Sequence, residues 1–190
     1  MSEGYVQLLC EKWNPSSAES LVASAGEVGI YLANPANGRI TELSELGEQI
    51  PADRGRIVAD ISLSGTGEVT FQFWIDEDVD VVCVVRRWKE RGASVRLFVD
   101  GLDWVQRTAV AQWGIAAGLS WPAAAAFVVD RRGKSEDEDW EDWAESGSGA
   151  VEDAPELLAV RGADAGAGST LLSGFSVWCS EPDLLQFLVQ

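Results

Sequence analysis

Histidine is absent from the 190 residues. That removes every histidine-based triad, general base and metal ligand. Cysteine is scarce. Cys10, Cys83 and Cys179 lie far apart and form no CxxC pair. Such spacing speaks for a reducing cytoplasm and against a structural disulfide or a metal centre. No run of 18 apolar residues occurs, so a spanning helix is not expected. The opening MSEGYVQLLC lacks a basic region followed by an apolar stretch, which speaks against a secretory signal. No GxSxG elbow is present. The segment GADAGAGST, residues 162–170, has neither the lysine nor the spacing of a phosphate loop and reads as a flexible turn. No cofactor is called for.

Basic residues are few as well: 14 against 31 acids, a net charge of −17. This balance disfavours nucleic acid and anionic membranes as partners. It favours a basic protein, toward which the field would steer association. Solubility or a high-salt habitat is the alternative origin. The length suits a single domain over residues 1–190, and a chain of this mass can bury about 70% of its extended surface. The composition, 46% hydrophobic and 24% charged, is that of a globular protein.

Residues 4–13 read as a strand. Ser16 and Glu19 have capping-box spacing ahead of a helix to about Ala25. Residues 28–33 read as a second strand, and residues 41–49 as a helical turn or two. Residues 56–63 alternate, with Ile57, Ala59, Ile61 and Leu63 on one face. Residues 68–75 alternate again after SGTG, which suggests a hairpin. Residues 79–88 and 94–99 are further strands. Asp103 and Gln106 form a second capping box. It starts a helix with a stripe of Val105, Ala109, Trp113 and Ala116, and Gly118 sits where a left-handed cap would end it. Residues 123–130 read as a strand. The order strand–helix–strand at 6–33 and again at 95–129 raises an internal duplication as one possibility. PELLAV and GFSVWCS are two more strands, and a terminal helix with Pro182 in its first turn follows. Together these predict an α+β fold: a mostly antiparallel sheet with two or three helices packed on one face.

Residues 133–190 carry 13 acids and 2 bases, against 18 and 12 in residues 1–132. Residues 133–156 read as an acidic, tryptophan-containing loop or insertion with a short helix. Seven acids fall between 136 and 145: Glu136, Asp137, Glu138, Asp139, Glu141, Asp142 and Glu145. Trp140 and Trp143 are threaded among them. One reading is a solvated loop whose indoles fold back onto the core. The other is a docking face, because tryptophans dominate interface hot spots and carboxylates pair with Arg and Lys. A calcium loop would need a glycine that this run lacks. A second cluster, Asp76, Glu77, Asp78 and Asp80, sits at a hairpin tip. There it either guards the sheet against unwanted pairing or shares the docking face. Most of the nine tryptophans are expected in the core.

The stretch SVRLFVDGLDW…FVVDRRGKSEDEDWEDW resembles the small acidic immunity proteins of bacterial polymorphic-toxin systems. That resemblance implies a tight inhibitor of a basic toxin domain, often a nuclease. The expected function is therefore a non-enzymatic binding protein that occludes a basic partner's active site. Trp140 and Trp143 would be its anchors, with carboxylates from 136–142 and 76–80 in the cationic cleft. An adaptor domain of a bacterial assembly and a carboxylate-dependent hydrolase are the alternatives; monomer and homodimer are not distinguished.

Overall fold

A computed structural model describes residues 4–62, 67–146, 151, 153–162 and 170–188. The turn at 64–66 with Leu63, most of GADAGAGST, and residues 147–150 and 152 of the acidic segment lie outside the described residues. The chain orders as β1 (Tyr5–Cys10), α1 (Pro15–Glu27), β2 (Ile40–Leu43), β3 (Gln49–Ala52), α2 (Arg54–Ile61), β4 (Glu68–Asp76), β5 (Val79–Trp88) and β6 (Gly92–Phe98). It continues as α3 (Trp104–Ser120), β7 (Ala124–Asp130), α4 (Trp140–Ser146), β8 (Leu157–Arg161), β9 (Thr170–Leu172), β10 (Phe175–Cys179) and α5 (Pro182–Leu188). Among the described residues ten strands form one sheet in the order β3-β2-β4-β5-β6-β1-β7-β8-β10-β9. Its strand pairs are antiparallel. The α+β class expected from the sequence is what the fold shows, with a larger sheet.

The pleat sorts side chains onto two faces. Val6, Leu8, Phe71, Phe73, Val81, Cys83, Val95, Leu97, Phe127 and Phe175 point to the first, where they bury residues of α1, α2, α3 and α5. The helical layer thus carries four helices. Tyr5, Leu9, Trp88, Ala126, Val128 and Leu158 point to the second face, where Trp140 of α4 covers them. A fifth helix therefore lies opposite the other four.

Several local expectations change, each for a physical reason. Asn14, not Ser16, caps α1: its Oδ1 accepts the Ser17 N–H at 3.1 Å, and Pro15 takes the first helical position. Glu19 instead pairs with Arg54 at 2.6 Å. Residues 54–61 are helical rather than extended. Ile57 and Ile61 fit both periods, Val58 joins them only on a helical face, and Asp53 decides by accepting the Arg56 N–H at 2.9 Å. Residues 40–52 form a hairpin, not helical turns. Ser44 Oγ accepts the N–H groups of Leu46 and Glu48, and Gly47 takes a φ of 76°. Residues 28–33 contribute only an isolated bridge between Tyr31 and Trp74. That leaves the first half of the suspected duplication without its second strand.

Helix α3 starts at its Asp103–Gln106 capping box as expected. Its buried stripe is rotated, however. Val105 is 77% exposed, whereas Val110, Trp113, Gly114, Ala117 and Gly118 are buried. Gly118 does not end the helix. A Cβ there would collide with the Phe127 ring, and one at Gly114 would collide with Val6. These two glycines let α3 lie close on β1 and β7.

Candidate functional site

The second sheet face holds the acidic segment, and a polar loop folds it there. Strand β7 ends at Asp130, whose Oδ2 accepts the Ser135 N–H at 2.6 Å and the Ser135 Oγ–H at 2.7 Å. Gly133 supplies the positive φ that this reversal needs, 66°. Tyr5 Oη donates to the Ser135 carbonyl at 2.9 Å and accepts from Trp140 Nε1 at 2.6 Å. Burial raises the Tyr5 pKa, against the opposing pull of its Ser135 and Trp140 hydrogen bonds. The hydroxyl therefore stays protonated and available to this network at neutral pH. The Arg96 guanidinium stacks 4.6 Å over the Tyr5 ring and donates to Gln7 Oε1.

Helix α4 follows, capped by Asp139, whose Oδ1 accepts the N–H groups of Glu141 and Asp142 at 3.0 and 3.1 Å. Trp140 is 1% exposed. This corrects the expectation that it anchors a partner. Its ring fills the space over Tyr5, Leu9 and Val128, because an indole with a satisfied N–H is more stable there than in water. Trp143 is half-buried. Its ring meets Trp140 edge-on at 6.2 Å and Trp178 at 6.5 Å with planes 85° apart.

The acids divide. Glu136, Asp137, Asp139, Asp142 and Glu145 are exposed, and Glu138 is intermediate, accepting the Asp153 N–H at 3.1 Å. Glu141 is held by Arg86 of β5 at 2.8 Å. Asp76, Glu77 and Asp78 are exposed on the β4–β5 turn, and Asp80 accepts from Gln72 Nε2 at 2.7 Å. Asp80 and the Arg86 that holds Glu141 are six residues apart on β5, about 20 Å along the strand. The two clusters therefore form separate patches, not one.

Between the patches the half-face of β4, β5 and β6 is partly open. Val82, Val84 and Phe98 are intermediate in exposure. A hollow of about 370 Å³ there is lined by Asp80, Val82, Phe98 and Asp100. On the other side of α4 lies a larger cavity of about 520 Å³, between Trp143 and Trp178 and floored by Leu158. Trp178 and Asp100 belong to these surfaces and are not singled out by sequence reasoning. The signal for Trp178 is the alternation of β10, which sends it to the face opposite buried Phe175 and Val177.

A second polar cluster fastens the chain's end. The fully buried Arg131 side chain donates through Nε to Glu156 at 2.7 Å and through Nη1 to Asp183 at 2.7 Å. Its guanidinium lies 4.2 Å over the Trp104 ring. Burial acts to lower the Arg131 pKa, and its hydrogen bonds to the Asp183 and Glu156 carboxylates outweigh it, so the net shift is upward. The Arg131 hydrogen bond in turn lowers the Asp183 pKa. This cluster joins β7, the start of β8 and α5, which is a structural role.

Burial pushes the thiols up: Cys10 to about 12, and Cys83 and Cys179 in the same direction. As protonated thiols they are poor nucleophiles at neutral pH. Among the described residues no group of three or more histidine, cysteine or acidic side chains is arranged to hold a metal ion. Among the same residues no helix is long and apolar enough to cross a membrane. No family model matches the chain, and neither a curated protein nor a solved structure does.

Proposed function

We propose that this chain is a non-enzymatic binding protein for a basic protein partner, docking through the side of its sheet that carries α4 alone. The context that best fits is immunity: a small acidic protein covering the cationic active site of a toxin domain. The observation that carries this reading is the footing of α4. Trp140 in the core, the Tyr5–Ser135–Asp130 network and the Arg86–Glu141 pair hold a run of acids in a fixed place. Asp137, Asp142 and Glu145 project from it into solvent. Fixed charges concentrate potential and lose little entropy on binding, which suits fast electrostatic steering. The Asp76–Asp78 turn supplies a second acidic rim across the open half-face.

The product of the adjacent open reading frame, where its terminal domain is basic, is the partner to test by surface plasmon resonance. The association rate should fall at least about ten-fold between low and high salt, because screening shortens the reach of exposed charge. Asp137→Asn/Asp142→Asn/Glu145→Gln should lower the rate at low salt and flatten its salt dependence. A salt-insensitive rate would refute the acidic-steering reading and favour an adaptor that docks on Val82, Val84 and Phe98.

A further inference from the structure

The cavity between α4 and β10 has a chemistry of its own. Its volume, about 520 Å³, lies within the range of sites that bind small groups. Two of its walls are the indoles of Trp143 and Trp178, set 85° apart. Leu158, Val151 and Pro155 supply an apolar floor, and Cys179 and Ser180 form the rim. The rim's polar groups are turned to the chain itself: Cys179 Sγ donates to the Glu181 carbonyl at 3.3 Å, and Ser180 Oγ to the Glu156 carbonyl at 3.3 Å. Among the described residues no lysine or arginine lines the cavity. Asp142 beside Trp143 and Asp153 beside Ala154 are exposed acids that flank it in sequence, and Glu181 beside Ser180 is held by Arg132 at 2.7 Å.

An apolar corner of two indoles set edge to face, with exposed carboxylates next to its lining residues in sequence, suits one kind of group best. It must carry a long apolar stem and a cationic head. A neutral apolar group would use the floor and ignore the field. A small hydrated cation would use the field and lose its water over the floor. We infer that this cavity receives an arginine or lysine side chain of the basic partner, its head over the indoles and its stem against Leu158. The inference rests on the preceding reading that the partner is a basic protein. The chain seats a cation over an indole within itself too, where the Arg131 guanidinium sits 4.2 Å over Trp104 and donates directly to Asp183 and Glu156.

The test uses acetyl-Gly-Arg-Gly-amide and the same peptide with citrulline, which keeps the shape of arginine and removes its charge. Binding is followed through the indole N–H resonances of the whole chain, with Trp143→Phe and Trp178→Phe assigning the two signals. The arginine peptide should shift the Trp143 and Trp178 resonances and bind about ten-fold more tightly than the citrulline peptide, as a partly desolvated cation–π contact requires. Trp178→Leu should abolish the shift of Trp143. Should that variant not fold, Trp178→Phe, which keeps a weaker π face, should reduce affinity part-way. Equal binding of the two peptides, shifts confined to other indoles, or no shift at all would overturn the inference. The two proposals separate cleanly. A basic partner that binds while both indole signals stay still sinks the cavity alone. Arginine binding in the cavity with no salt-dependent association to a basic protein sinks the functional reading alone.

Discussion

Replacing Trp140 with alanine is the perturbation that distinguishes a scaffold residue from a contact residue. The ring is 1% exposed, and a tryptophan buries on the order of 200 Å². At about 25 cal/mol per Å² the transfer term alone approaches 5 kcal/mol, within the roughly 3–5 kcal/mol typical of Trp→Ala in cores. The lost hydrogen bond leaves Tyr5 Oη with Ser135, so its share of the loss is smaller, about 1 kcal/mol. Trp143 is half-buried and its truncation should cost about half as much. The loss has a ceiling, because the acidic segment can detach while the sheet stays folded. It cannot exceed the free energy that holds residues 131–146 on β1 and β7. Two assays are therefore needed: urea unfolding by circular dichroism for the global cost, and hydrogen exchange at the Ser135 and Trp143 amides for local detachment. Those amides bond to Asp130 and to the Asp139 carbonyl, and they should lose protection in Trp140→Ala before any other part of the sheet does. A variant that loses less than about 1 kcal/mol and keeps both amides protected would refute the placement of this ring as the segment's anchor.

Other outcomes follow from the same packing. Arg131→Met should cost about 3–5 kcal/mol in urea unfolding because it leaves the buried Glu156 with only the longer Arg132 ion pair at 3.3 Å, and Arg131→Met/Glu156→Gln should recover a good part of that loss. Asp183 has a lowered pKa in the folded chain, so its contribution is fully present above the ordinary carboxylate pKa near 4 and is lost as pH falls through the lower folded value. In the Asp183→Asn variant the acid limb of a thermal-stability profile should accordingly be shallower. Gly118→Ala should destabilise by about 1–3 kcal/mol, since α3 must move off Phe127 to admit the methyl group, and thermal unfolding would show it.

The sequence made some of this architecture legible and hid the rest. Strands were plain at 68–75 and 79–88, which carry enough β-branched and aromatic residues that no helix competes; the apolar run at 79–88 suggests burial on both faces, yet only alternate residues from Val81 to Val85 are buried. Residues 54–61 were not, because Ile57 and Ile61 satisfy both periods and only the short-range choice of Asp53 as cap separates them. The face of α3 was hidden for a different reason. An alanine-rich helix is nearly apolar all round, so periodicity says little. The informative residues were Gly114 and Gly118, which look like breakers in sequence and act as close-packing sites in space. In the candidate site, Glu136, Asp137, Asp139, Asp142 and Glu145 could be read directly as exposed groups, whereas the holding of Glu141 by Arg86 could not. The roles of Trp140 and Trp143 could not, because they depend on Tyr5 and Trp178, which lie 135 and 35 positions away.

The interleaving of acids and indoles along residues 136–145 is undone by the helix. At about 100° per residue, positions 140 and 143 fall some 60° apart on α4, so both rings share the sheet-facing side. Trp140 points down onto β1 and β7, and Trp143 leans toward β10. Asp142 and Glu145 face solvent, while Glu141 is drawn sideways to Arg86. Charge and aromatic surface thus occupy different sides of one short helix. A partner that approaches the acids meets negative potential first and an indole only at the β10 edge. On the proposed reading the long-range term belongs to Asp137, Asp142 and Glu145, and the short-range term to the Trp143–Trp178 corner. Neutralising the first should change association rates, and opening the second should change dissociation rates. Kinetics that moved together in both sets of variants would mean that the two features are not separate parts of one docking surface.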